Sequence, residues 1–285
     1  MTPGIHLGDC YALLPGIPTG SVDLLLTDPP YGTTNAAWDC KIDIPAFFEQ
    51  VWRACKPNAA VLIFSQLPFA CDLINAARKW YRYDIVWAKN DPTGFLNAKK
   101  MPLRAHELIL VFYRTLPTYN PQKTYSTPYH SKGSRRKSEI YGPRGDSLNP
   151  ETKSLDGSRY PTDVLRYRRE RHAPHPTQKP LALVENLILQ YSNPGDLILD
   201  PFAGSGTTAI AARNTDRRCI AIERDPTIHA TALRRLAGQA PSHQSQDAQS
   251  HPAQKPPPPA RNTPSQAHQC ALTSFSSTGA SKSLK

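Results

Sequence analysis

Ser21 to Tyr31 reads Ser-Val-Asp-Leu-Leu-Leu-Thr-Asp-Pro-Pro-Tyr, and it constrains the fold more than any other stretch. Val22 to Thr27 is a short apolar run of the kind that parallel sheets bury on both faces. It stops at Asp28-Pro29-Pro30-Tyr31, because two prolines fix φ and have no N–H to give to a ladder. A rigid corner at the carboxyl end of a strand is where open α/β sheets place their ligands. This corner presents a carboxylate, a carbonyl without a competing N–H, and an aromatic ring. Such a set suits a flat base with an exocyclic amine: two acceptors for the amine hydrogens and a ring to stack on. The plainer reading is a strand followed by a proline-rich turn with a surface tyrosine.

The order of elements supports the first reading. Gly8-Asp9 followed by Cys10 to Leu14 looks like a strand end entering a short helix, and Asp9 taken alone reads as a turn or N-cap residue. Helical spacing runs from Pro45 to Cys55 and stops before a turn signal at Pro57-Asn58. Ala59 to Ser65 reads as a strand, Pro68 to Trp80 as a helix and Tyr83 to Ala88 as a strand. Lys89 to Lys100 reads as a polar loop, and His106 to Tyr113 as a further strand. Strands alternating with helices imply a mostly parallel sheet covered by helices.

From Arg114 to His172 the apolar periodicity fades. Thirteen Lys or Arg residues face six acids there, with Tyr119, Tyr125, Tyr129, Tyr141, Tyr160 and Tyr167 between them. Basic side chains neutralise phosphates and aromatic rings stack on bases, so a nucleic-acid contact region is expected in preference to an idle solvated loop. The whole chain carries a net charge of +11 over 285 residues. Only three of those charges belong to the Pro-, Gln- and Ser-rich stretch after Gly238, which reads as a disordered tail. The six cysteines have no zinc spacing, so a reduced, cytoplasmic protein without a structural metal is expected. No membrane span or export signal is read.

Beyond the basic stretch, Pro180 to Tyr191 reads as a helix and Leu197 to Leu199 as a strand. Asp200-Pro201-Phe202-Ala203-Gly204-Ser205-Gly206-Thr207-Thr208 follows, then a helix from about Thr208 to Arg213. A strand from Arg218 to Ile222 ends at Glu223, and a last helix spans Pro226 to Gly238. Strand, glycine turn, helix and acid-tipped strand form a nucleotide-binding order, in which Glu223 would accept ribose hydroxyls. A phosphate-binding loop is not supported, since no Gly-Lys-Ser or Gly-Lys-Thr follows.

Taken together, these segments resemble the S-adenosylmethionine-dependent DNA amino-methyltransferases, in the subgroup whose amine motif precedes the cofactor motif. The matching segments are Gly8-Asp9, Asp28 to Tyr31, Arg104-x-His106-Glu107 to Phe112, His175 to Pro180 and Asp200 to Thr208. The resemblance covers roughly residues 4 to 236 and implies a Rossmann-like methyltransferase fold in circularly permuted motif order. Residues 1–113 would form the catalytic half, 114–172 a basic target-recognition insertion, 173–238 the cofactor half, and 239–285 a tail. It further implies that Asp28, Pro29, Pro30 and Tyr31 are catalytic: Asp28 and the Pro29 carbonyl hold the amine, and Tyr31 stacks on the flipped base. Asp200, Phe202, Gly204, Gly206 and Thr207 would form the cofactor loop, with Glu223 on the ribose and Asp9 near the adenine. Thr177 and Lys179 would belong to the segment at the methionine end. Asp28 at the first motif position goes mostly with adenine in this family, and cytosine-N4 is the alternative. DNA is the implied partner. A homodimer and a cognate restriction endonuclease are compatible with the resemblance. Two readings from other classes compete: a nicotinamide-dependent oxidoreductase, which leaves Asp28 to Tyr31 unexplained, and an inactive DNA-binding protein on the same fold.

Overall fold

A computed structural model describes residues 1–32, 39–132, 152–170 and 178–238. Asp28 to Tyr31 lies within these ranges. His175, Pro176, Thr177 and the expected tail lie outside them.

Eight strands make the central sheet. In chain order they are β1 (Gly4–Leu7), β2 (Val22–Thr27), β3 (Cys55–Ser65), β4 (Tyr81–Thr93), β5 (Arg104–Phe112), β10 (Val164–Tyr167), β11 (Leu197–Asp200) and β12 (Arg218–Glu223). Their spatial order is β1-β12-β11-β2-β3-β5-β4-β10. Every neighbouring pair is parallel except those that β5 makes with β3 and β4. The sheet is therefore mostly parallel, as expected. One reversed strand leaves the carboxyl ends of all seven others on a single edge.

Side chains along these strands alternate between two separate cores, as the period of two requires. Leu24, Leu26, Leu62, Phe64, Ile109 and Val111 pack on one face against α4 (Leu181–Tyr191), α5 (Thr207–Asn214) and α6 (Pro226–Leu236). Leu25, Val61, Ile63, Leu110 and Phe112 pack on the other against α1 (Cys10–Leu13), α2 (Ile44–Ala54) and α3 (Phe69–Ala76). A strand covered on both faces can be apolar at every position, which is why Val22 to Thr27 shows no alternation in its sequence. Among the described residues no helix is long and apolar enough to cross a membrane.

Four expectations need correction. Pro57-Asn58 is no turn but part of β3. Val22 pairs with Cys55 and Leu24 with Ala60, so two steps on β2 meet five on β3, and the irregularity absorbs the proline. α3 ends at Ala76 rather than Trp80, because Ala77 leaves helical geometry and Trp80 turns to pack 4.9 Å from Trp52. β4 continues to Thr93 through residues read as a loop. Ala88 there pairs with His106 of β5, Lys89 with Tyr167 of β10 and Thr93 with Arg104 of β5, with an irregular register between Ala88 and Thr93. Finally, β10 comes from the stretch read as an insertion, yet it joins the central sheet. The rest of that stretch contributes β6 (Thr124–Tyr125), β7 (Tyr129–Ser131), β8 (Thr152–Ser154) and β9 (Ser158–Arg159), paired as β6 with β9 and β7 with β8.

Leu62 is fully buried in β3, between β2 and β5. Leu62→Ala should cost about 2–5 kcal/mol, lost hydration transfer plus cavity, as a shift of the urea midpoint at constant slope.

Candidate active site

The carboxyl-end edge of the sheet gathers most of the residues singled out in the sequence. β2 and β11 are adjacent and parallel, so the corner after Thr27 and the loop after Asp200 leave the sheet side by side. The Thr27 hydroxyl donates to Asp200 Oδ1 at 2.6 Å, and the Phe202 N–H donates to the same oxygen at 3.2 Å. Asp200 is buried, and burial raises its carboxyl pKa to about 6 despite the hydroxyls of Thr208 and Thr27 that favour the anion.

Next along the edge, the Glu223 carboxylate closes the glycine loop. Its Oε2 accepts from Gly204 N and its Oε1 from Asp225 N, both at 2.8 Å. Gly204 sits at φ +52° with nothing within 4 Å of a Cβ built there, so the loop is open on that side. At Gly206, φ +80°, an added Cβ would lie 3.0 Å from Ala232 of α6 and 3.2 Å from Ile5 of β1; only glycine lets the loop pack so tightly. Thr207, buried, begins α5. Phe202 reaches across to α2, its ring 5.8 Å from that of Phe47. On the outer strand, Asp9 caps α1 by accepting from Tyr11 N at 2.9 Å and Ala12 N at 3.4 Å, while Gly8 N donates to the Glu223 carbonyl.

At the corner itself, Tyr31 folds back so that its hydroxyl donates to Asp28 Oδ1 at 2.7 Å. Phe69 of α3 stacks on the Tyr31 ring, with centroids 5.3 Å apart and planes 27° from parallel. Pro29 is buried and Pro30 half-buried. Lys179 is turned to this corner: its ammonium donates to Asp28 Oδ2 at 2.5 Å and lies 3.2 Å from Glu107 Oε2. Glu107 in turn pairs with Lys89. Asp28, Lys179, Glu107 and Lys89 thus form a row of alternating charge from the corner into the sheet, and the Lys89 side chain is only 3% exposed. Burial opposes ionisation of Glu107, but the Lys179 and Lys89 ammonium groups hold its carboxyl below the usual range. Burial likewise opposes the charge on Lys179, and Asp28 and Glu107 overcome it to raise its pKa. For Asp28 burial dominates over Lys179, and Glu107 adds repulsion, so its carboxyl is raised.

Sequence reasoning missed Lys89, Glu107 as a charge partner, and Phe69. Only Glu107 carried a signal, an acid at the start of an apolar strand; the other two are linked to the site by strand register and helix packing alone. It also missed a polar chain behind the loop. Gln178 donates to Glu170, Ser205 Oγ donates to Gln178 Oε1 at 2.8 Å, and Arg235 Nη1 donates to Ser205 Oγ at 2.9 Å.

The edge therefore offers acceptors (Asp9, Asp200, Glu223) around an open glycine turn, next to a carboxylate and an aromatic platform. Acceptors of this kind fit the hydroxyl and ammonium donors of S-adenosylmethionine. A sequence model of the DNA methylase family matches residues 22–234, and the chain belongs to that family of N6 and N4 amino-methyltransferases. S-adenosylmethionine is the family's methyl donor. Over 247 residues the chain is 34% identical to the DNA adenine methyltransferase YhdJ of Escherichia coli (strain K12), covering 81% of each protein. It is 31% identical over 249 residues to the type II methyltransferase M.BglII from Bacillus subtilis, covering 75% of this chain and 63% of that one. The crystal structure of the M1.HpyAVI–SAM complex superimposes with a TM-score of 0.56 at 25% identity, covering 81% of this chain and 98% of that chain.

Two measurements check the electrostatics. Glu107→Gln leaves two buried ammonium groups with one carboxylate and should cost about 3–5 kcal/mol in urea unfolding. For Asp200 the folded pKa of about 6 lies above the ordinary value of 3.8. Its contribution to stability is full below pH 4 and is lost as pH rises through 6. Asp200→Asn, which keeps an acceptor for Thr27, should therefore gain on the wild type between pH 4 and pH 7, by at most about 3 kcal/mol.

Proposed function

We propose that this protein is a site-specific DNA methyltransferase that moves a methyl group from S-adenosylmethionine to the exocyclic amine of adenine. The observation that carries the reading is the Thr27–Asp200 hydrogen bond, which puts the Asp28 corner against the glycine loop. The name of the 34% identical relative YhdJ, a DNA adenine methyltransferase, supports adenine over cytosine, as does Asp28 at the first motif position.

An adenine amine is a weak nucleophile because its lone pair is delocalised into the ring. Asp28 and the Pro29 carbonyl accept its two hydrogens and draw the nitrogen toward tetrahedral geometry, which localises the lone pair. S-adenosylmethionine supplies, when bound, a methyl group on a cationic sulfur, with a neutral thioether as leaving group. Asp200, Phe202, Gly204, Glu223 and Asp9 would hold it, and Thr177 would belong to the same site. With the donor bound, the nitrogen lone pair would form the new N–C bond as the C–S bond breaks, and the proton the amine then loses would pass to solvent water. Lys179 counters the burial that disfavours the Asp28 anion and fixes the orientation of the carboxyl group, so the acceptor is in place before the base arrives. Tyr31, backed by Phe69 and tethered by its hydroxyl, is the stacking platform for a base that has left the duplex. The stretch between 114 and β10, with Arg159 over Tyr129 and Lys123 over Tyr160, would supply phosphate and base contacts.

The test is transfer of labelled methyl from S-adenosylmethionine to unmethylated DNA, followed by nucleoside analysis. Label in N6-methyladenine is expected. Label in N4-methylcytosine would keep the mechanism and change the base. In Asp28→Ala transfer should fall at least a thousandfold while S-adenosylmethionine still binds; wild-type turnover in that variant would sink the assignment.

A further inference from the structure

The ribbon formed by β4 and β5 reaches far beyond the sheet edge that carries the site. Thr27 is level with Ile63 of β3, Ile63 with Leu110 of β5, and Leu110 with Asp84 of β4. From Leu110 back to Arg104 is six residues, about 20 Å of extended chain. β4 runs in the same sense as β2, three strands away, so the ribbon's tip rises from the same edge as Asp28, displaced by about 14 Å along the sheet.

Gly94 at φ +90° turns the chain into a single helical turn, Phe95–Asn97. Phe95 is 80% exposed, Leu96 fully exposed and Met101 half-exposed. Lys99 and Lys100 stand exposed beside them. Arg104 at the base of the tip donates to Gln66, and no acid occurs between Gly94 and Arg104. Large apolar side chains held out at the end of a two-stranded ribbon and flanked by cations match a duplex: phosphates for the lysines and a base step for the apolar pair.

We propose that Phe95 and Leu96 form a wedge that enters the DNA duplex beside the target and fills the space left when the base swings out to Tyr31. The inference rests on the DNA-methyltransferase reading above. A flipped base leaves its neighbours without a stacking partner, and an apolar plug restores that contact. Phe95 and Leu96 make this contact only with distorted DNA, so removing them slows the reaction more than it weakens binding.

The test compares the wild type with Phe95→Ala/Leu96→Ala on unmethylated duplex plasmid. Both side chains are exposed, so the variant should melt at the wild-type temperature. Expected are a kcat at least tenfold lower, with dissociation constants for plasmid DNA and for S-adenosylmethionine within threefold of the wild type. Phe95→Leu/Leu96→Phe, which keeps an apolar tip, should recover most of the rate. An unchanged kcat would overturn the wedge, as would a loss confined to DNA affinity, which marks a simple contact surface. A variant that changes from dimer to monomer in sedimentation would also overturn it, since the tip would then seat a second copy of the chain. A wild type that methylates no DNA would instead sink the underlying reading, which separates the two failures.

Discussion

The Thr27 hydroxyl reaches the Asp200 carboxylate across the boundary between β2 and β11, 2.6 Å apart and shielded from solvent. In sequence these residues are 173 positions apart. The bond joins two loops that have nothing else in common: one carries a carboxylate and an aromatic ring, the other an open glycine turn. A methyl transfer needs its nucleophile and its donor collinear and in contact, so the loops must leave the sheet at adjacent points. Parallel pairing of β2 with β11 provides that adjacency, and β5 and β4, beyond β3, bring in Glu107 and Lys89 respectively.

Charge is arranged to serve the same corner. Burial disfavours the Asp28 anion, and a protonated Asp28 could accept less from an amine. Lys179 sits on one of its oxygens, and Glu107 and Lys89 balance Lys179 in turn. Such a row contributes little net stability compared with apolar packing, since desolvation offsets most of the attraction. Its function is orientation: Asp28 is fixed by Lys179 on one oxygen and Tyr31 on the other, and Tyr31 by Phe69.

Much of this was readable in the chain. β2, β11, β12, α4 and the corner at Asp28 follow from apolar runs that end at proline or glycine, where local chemistry decides the structure. The path of Lys89 was not readable, because three polar residues in a row look like a loop unless the strands on either side are known. The helical spacing up to Trp80 is real, but the packing of Trp80 on Trp52 comes from tertiary contact. Pro57 looked like a turn because an isolated proline usually is one, whereas a register shift on β3 accommodates it. The Lys179 ammonium faces Asp28, and only the fold brings residues 28, 107 and 179 together.

A double-mutant cycle across the β2–β11 boundary tests most directly whether the two loops act as one site. Single-turnover methyl transfer would be measured for the wild type, Thr27→Val, Asp200→Ala and the double variant. Coupled loops predict that the two losses fall short of multiplying, with a departure of at least fivefold, about 1 kcal/mol of interaction. Losses that multiply to within a factor of two would mean that the Asp28 corner and the Asp200 loop work independently, and would contradict the account.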